Sequence, residues 1–216
     1  FMGLGVLFVD TENGVRNIKK RVRQRIAEQP HSSFKNGGIV FNGMTADECY
    51  NSTLKMLKRI GGDINFISVP ADVYDLSQVD NEVAKLRSEG KKVDLVIYDY
   101  LEQYMALDRK LVDEKRISAV YKHAIRLNKK YGTFSLTPSH INAYAIKQKK
   151  AGDSFGGEGL AGALAKSSHA HAIFELSYEE REDWQSYGLL SKDCLVMSVI
   201  AQREGVRHGQ VGFSMD

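Results

Sequence analysis

Long apolar runs are missing from this 216-residue sequence. None approaches the ~20 residues that a membrane-spanning helix requires, so no membrane partner is expected. No secretory signal pattern opens the chain. Cysteine is scarce as well. Cys49 and Cys194 form no disulfide framework and no metal-spaced cluster, which points to a reducing, intracellular setting. Excess charge of one sign is also lacking. A formal net charge of +3 does not diagnose a nucleic-acid binder, so any such case must come from local clustering. With no internal repeat, no low-complexity tract and no long linker, a single domain over residues 1–216 is expected.

What is present reads as ordinary globular usage. Apolar residues make up 43% and charged ones 26%, which excludes disorder, collagen and coiled coil as global descriptions. Of seven strand-like runs, five are near-continuously apolar: Val6–Asp10, Ile64–Pro70, Leu95–Asp99, Thr133–Thr137 and Ala172–Leu176. Strands buried on both faces of a parallel sheet have this composition. Helical stretches lie between them. Thr45 and Glu48 make a capping box ahead of an apolar face of Tyr50, Leu54 and Leu57, and Asp75 with Gln78 repeats the device ahead of Leu76, Val79, Val83 and Leu86. Ile117, Val120, Tyr121, Ala124 and Leu127 form a third stripe ending near Gly132. Strands alternating with such helices predict a wound α/β sheet with right-handed crossovers. The runs Cys194–Glu204 and Gln210–Met215 read instead as an antiparallel hairpin added to its edge.

In an open α/β sheet ligands bind outside the carboxyl ends of the strands. The first run ends in Asp10-Thr11-Glu12-Asn13, the run through Ile97 ends in Asp99, and the run through Phe134 leads to Ser139-His140. Three strands thus deliver two carboxylates and an imidazole to one edge. Asp99 fits the Walker B arrangement, in which a carboxylate orients Mg²⁺ beside phosphates, and equally a cap for the next loop. Glu12 reads as a general base or as a solvated loop acid, and His140 as a phosphate sensor or a structural residue.

The segments Val6–Glu12, Leu95–Leu101, Ser139–Asn142 and Ile200–Gly205 follow one another as in the RecA-like motor domain of DnaB-type replicative helicases, which the chain resembles over nearly its whole length. Bacteriophage members are the most similar. The resemblance implies a P-loop NTPase fold and a ring-forming, hexameric DNA helicase that hydrolyses ATP or another NTP with Mg²⁺ while translocating on single-stranded DNA. It places the protein in the cytoplasm of a bacterium or phage-infected host, with a primase or helicase loader as further partner. It makes Glu12 the residue that activates water, Asp99 the metal carboxylate, His140 the γ-phosphate sensor and Arg203 a finger reaching the neighbouring subunit's nucleotide. Lys147, Lys149 and Lys150 fall where the family grips single-stranded DNA in its pore.

Three departures stand out. No Gly-Lys-Ser/Thr phosphate loop occurs in these residues, so the expectation is a chain cut after the Walker A helix, with Phe1–Gly5 as that helix's tail and no activity of its own. Ala201 stands where relatives carry a lysine, leaving Arg203 to act alone or with Arg207. Ser168-His169-Ala170-His171 replaces a common Gln-Asp-Ala-Asp. A RecA/RadA-like recombinase, and a non-catalytic scaffold or helicase loader, are the alternatives. The cations from Arg16 to Arg25 read as the solvated face of a helix, one that in a helicase would meet a neighbouring subunit rather than DNA. Lys147, Lys149 and Lys150, in a Gly-rich loop, read as phosphate contacts. The pair His169 and His171 reads as structural.

Overall fold

The computed structural model describes residues 3–27, 39–41, 43–70, 73–140, 166, 168–180, 193–202 and 210–214. They divide into two compact units, 1–138 and 139–216.

The first unit is built on four parallel strands in the order β4-β1-β5-β6: β1 (Gly5–Asp10), β4 (Asp63–Ser68), β5 (Leu95–Asp99) and β6 (Phe134–Leu136). Between β1 and β4 come α1 (Val15–Ala27), the small antiparallel pair β2 (Ile39–Phe41) and β3 (Met44–Thr45), and α2 (Ala46–Arg59). Helix α3 (Ser77–Ser88) joins β4 to β5, and α4 (Asp113–Tyr131) joins β5 to β6. Gly3 and Leu4, expected as the tail of a helix, are not helical.

Alternation along β1 explains the layers, since successive side chains leave a strand on opposite faces. Leu7 and Val9 enter a buried cluster with Val96 and Tyr98 of β5, the α3 stripe Leu76, Val79, Val83 and Leu86, and the α4 stripe Val120, Tyr121, Ala124 and Leu127. Tyr98 meets Tyr104 edge-on at 6.0 Å, a geometry worth about 1 kcal/mol beyond area burial. Phe8 leaves β1 on the opposite face, where its register partner Phe66 lies 6.1 Å away and Lys19 of α1 sits over the Phe66 ring. Helices therefore cover both faces.

The capping box forms as expected. Glu48 N donates to Thr45 Oγ1 while Thr45 N donates to the Glu48 carboxylate. The second box does not form. Helix α3 starts at Ser77, and the Asp75 carboxylate accepts from Ser77 N at 2.7 Å. Helix α4 ends on Gly132 in the left-handed conformation, as the sequence predicts.

The edge strand β6 departs from expectation. Phe134 and Leu136 are 76% and 51% exposed, so this run is not buried on both faces. In the second unit, β7 (Ala172–Glu180), β8 (Asp193–Gln202) and β9 (Gln210–Ser214) form an antiparallel sheet in the order β7-β8-β9. The β8–β9 pairing is the expected antiparallel one, but it belongs to a sheet of its own instead of extending the edge of the parallel sheet. The run at Ala172–Leu176 pairs antiparallel to β8 instead of joining the parallel sheet, because it is the first strand of a three-stranded meander whose side chains alternate: Phe174 and Leu176 exposed, Ser177 buried.

Candidate functional site

Strand order fixes where a ligand fits in the first unit. From β1 the chain leaves towards β4, and from β5 towards β6. The connections diverge at the carboxyl ends of β1 and β5, which creates the crevice in which α/β sheets bind ligands. Asp10 and Asp99 are register partners at that point.

Backbone and hydroxyl bonds knit this rim together. Thr11 N donates to Asp99 O at 3.1 Å, Thr11 Oγ1 donates to the same oxygen at 2.5 Å, and Tyr100 N donates to Thr11 Oγ1 at 3.2 Å. Val69 N, just past β4, donates to Asp10 O at 2.9 Å. Leu101 N donates to Thr137 Oγ1 at 3.0 Å, which ties in the end of β6. Four strand ends are thereby held against one another.

The acids differ in what they do. Asp10 is 1% exposed, and its carboxylate accepts from Asn13 N at 3.0 Å and Gly14 N at 2.6 Å. Those bonds shape the turn into α1, where Gly14 has a φ of 75° that L-residues rarely adopt. Asp99 is half-buried, and Asn13 Nδ2 donates to its Oδ2 at 3.3 Å. Burial first, and then the nearby charges of Asp10 and Glu12, push its carboxyl above the usual range, opposed by Arg21 and the Asn13 bond. Glu12 is exposed on the loop after β1, and Gln103 Nε2 donates to its Oε1 at 3.0 Å. Gln103 lies in a 3₁₀ turn, Leu101–Gln103, directly after β5.

Glu12 and Asp99 are thus brought to one rim, with Asp10, Thr11, Asn13 and Gln103 supporting them. His140 belongs to the second unit, exposed beside Ser139, whose Oγ accepts from the buried Lys166 Nζ at 2.8 Å. Arg203, Arg207, Lys147, Lys149 and Lys150 lie outside the described residues. Sequence reasoning missed the supporting roles of Thr11, Gln103 and Lys166. The only signal available was for Asp10, whose spacing to Asn13 and Gly14 suits an Asx-type turn.

The donor set suits a divalent cation of the Mg²⁺ kind. Such an ion is held by one or two carboxylates, with water and phosphate oxygens completing the shell. A half-buried carboxylate crowded by two other acids gains from a counter-charge. Among the described residues no group of three or more His, Cys, Asp or Glu side chains could hold a metal by itself, which such an ion does not require. Among those residues no helix is long and apolar enough to cross a membrane.

No family model matches the chain, and no curated protein matches it. Solved structures do. The ATPase domain of a phage helicase superposes with a TM-score of 0.73 at 15% identity, covering 97% of this chain and 70% of that one. A DnaB-like replicative helicase, described with its interactions with primase, superposes with a TM-score of 0.74 at 14% identity, covering 99% of this chain and 48% of that one. The chain therefore has the RecA-like α/β fold of these proteins, spanning about half the length of the second.

Proposed function

We propose that this chain is the motor part of a replicative DNA helicase, hydrolysing NTP and moving along single-stranded DNA. Its support is the meeting of Asp99, Glu12 and their fixing partners at the switch point of a RecA-like sheet. An NTP bound there with Mg²⁺ supplies the phosphoryl group and part of the charge neutralisation its transfer requires. Asp99 would hold the cation. Asp10 is less suited to that task, since it is buried and both its oxygens are held against the turn by backbone N–H groups. Glu12 orients the attacking water and accepts its proton, and the Gln103 amide keeps the carboxylate turned towards the rim.

The remaining roles are those the resemblance implies. His140 senses the γ-phosphate, and Arg203, with Arg207, reaches the nucleotide of a neighbouring subunit, so the working form is a homo-oligomeric, hexameric ring in the cytoplasm. Lys147, Lys149 and Lys150 grip single-stranded DNA. A primase partner fits the primase interactions of the DnaB-like structure, and a helicase loader is the other candidate. Residues 1–216 form one motor domain in this reading. Because they include no Gly-Lys-Ser/Thr loop, they are inactive by themselves.

The test uses a protein that joins this chain to a phosphate-binding loop. Glu12→Gln abolishes Mg²⁺-dependent, DNA-stimulated NTP hydrolysis and leaves nucleotide binding intact. Wild-type turnover by that variant overturns the proposal.

A further inference from the structure

Helix α1 carries Arg16, Lys19, Lys20, Arg21, Arg23 and Arg25 and no carboxylate. At helical spacing this sets three like-charged pairs four residues apart: Arg16 with Lys20, Lys19 with Arg23, and Arg21 with Arg25. Each pair is unfavourable in an isolated helix. Arg16 also lies in the first turn, where the helix dipole disfavours a cation. A solvated face gains nothing from that concentration of one sign.

The structure shows that much of this charge lines a concavity. A cleft of about 720 Å³ lies between α1 and α2, and Arg16, Lys19, Lys20 and Arg23 all border it. Among the described lining residues the one carboxylate is Asp47, which pairs with Arg23. Tyr50 adds an aromatic ring, with the Arg23 guanidinium 5.7 Å from its centroid, and the amides of Asn17 and Asn51 complete the lining. Arg16, Lys19 and Lys20 are exposed.

We infer that this α1–α2 cleft binds the phosphodiester backbone of a single-stranded nucleic acid. A positive groove with an aromatic side chain on which a base can stack is the usual construction for sequence-independent strand binding. The neutral amides offer hydrogen bonds to any base edge. The competing occupant, an acidic helix such as a neighbouring subunit would offer, needs aliphatic or aromatic anchors one turn apart. Among the described lining residues there is one ring and no aliphatic side chain. The site does not rest on the proposed motor function, because none of these lining residues belongs to the β1–β5 rim.

Fluorescence anisotropy with a labelled oligothymidylate, across a salt titration, tests the site. In the full 216-residue chain, Arg16→Ala/Lys19→Ala/Lys20→Ala lowers affinity by roughly tenfold or more at about 0.1 M salt. It also flattens the log–log salt slope by about 2, since each lost phosphate contact on a single strand removes about 0.7. The milder Lys19→Gln/Lys20→Gln, confined to exposed side chains, flattens it by about 1.4 with an unchanged circular-dichroism melt. The same losses appear when Lys147, Lys149 and Lys150 are already alanine, which separates the cleft from that segment. An affinity and slope untouched by either variant overturn the inference. So does displacement of the oligonucleotide by polyglutamate with the same dependence on the three cations, which would make the cleft an acidic-polypeptide site.

Discussion

Asp10 and Asp99 stand opposite each other at the ends of adjacent parallel strands, yet their carboxylates are used in different ways. Asp10 is buried and turned back onto its own chain, where two backbone N–H groups hold it. Asp99 is half-buried beside two other acids and accepts a 3.3 Å bond from Asn13. One carboxylate builds the rim. The other is left with charge that a cation can neutralise.

The pH dependence of stability should reveal the second role. Burial and the charges of Asp10 and Glu12 raise the Asp99 carboxyl above the usual range, so the folded chain holds that proton more tightly than the unfolded chain does. Ionised Asp99 therefore costs stability at neutral pH. The cost fades as pH falls through the folded value and is gone below the ordinary carboxylate value of about 3.9. Asp99→Asn should raise Tm near pH 7 by roughly 1–3 °C, a modest figure because the group is partly open to water. The gain should disappear on acidification. Thermal melts at both pH values check this, and an equal gain at each would rule out charge as the cause.

Removing the first carboxylate should have the opposite effect. Asp10→Ala leaves Asn13 N and Gly14 N without their acceptor at a buried turn, at a cost of about 2 kcal/mol. Urea unfolding should show the midpoint falling at constant m-value. An unmoved midpoint would mean that the turn into α1 holds without it.

How much of this was legible beforehand follows from what periodicity encodes. The stripe Leu76, Val79, Val83 and Leu86 was readable because an apolar face at helical spacing has to find a core, and all four residues are buried. The Thr45–Glu48 box was readable because its bonds span three residues. Continuous apolar composition does not say which strand pairs with which. Ala172–Leu176 therefore read as a parallel strand and pairs antiparallel to β8, while Phe134 and Leu136 are exposed on an edge. At the rim, strand-end carboxylates were legible because loops follow strands. The Gln103–Glu12 bond joins residues 91 apart, and no local pattern announces it.

That bond predicts a split in kinetics. In a protein that joins this chain to a phosphate-binding loop, Gln103→Leu should lower kcat by about tenfold and leave KM for NTP near its original value. Gln103 positions Glu12, and a displaced general base slows chemistry without weakening binding. Gln103→Glu should not rescue, since it sets a second carboxylate against the first. A variant that raised KM alone would assign Gln103 to nucleotide binding instead.

Two glycines should separate steric strain from conformational strain. At Gly5 a Cβ would lie 2.0 Å from the backbone oxygen of Lys92, and neither backbone can yield. Gly5 N donates to Asp94 Oδ2 and Gly5 O accepts from Asp94 N, both at 2.7 Å, which locks β1 to the segment entering β5. Gly5→Ala should then destabilise by about 3 kcal/mol, as overpacking against an immobile partner does. At Gly132 a Cβ meets nothing within 4 Å, but φ is 61°, so Gly132→Ala should cost only about 1 kcal/mol through the left-handed backbone. Urea midpoints for the two variants measured side by side check the order. Equal losses would show that β1 shifts to accommodate the methyl group, and the Asp10–Asp99 alignment at its far end would shift with it.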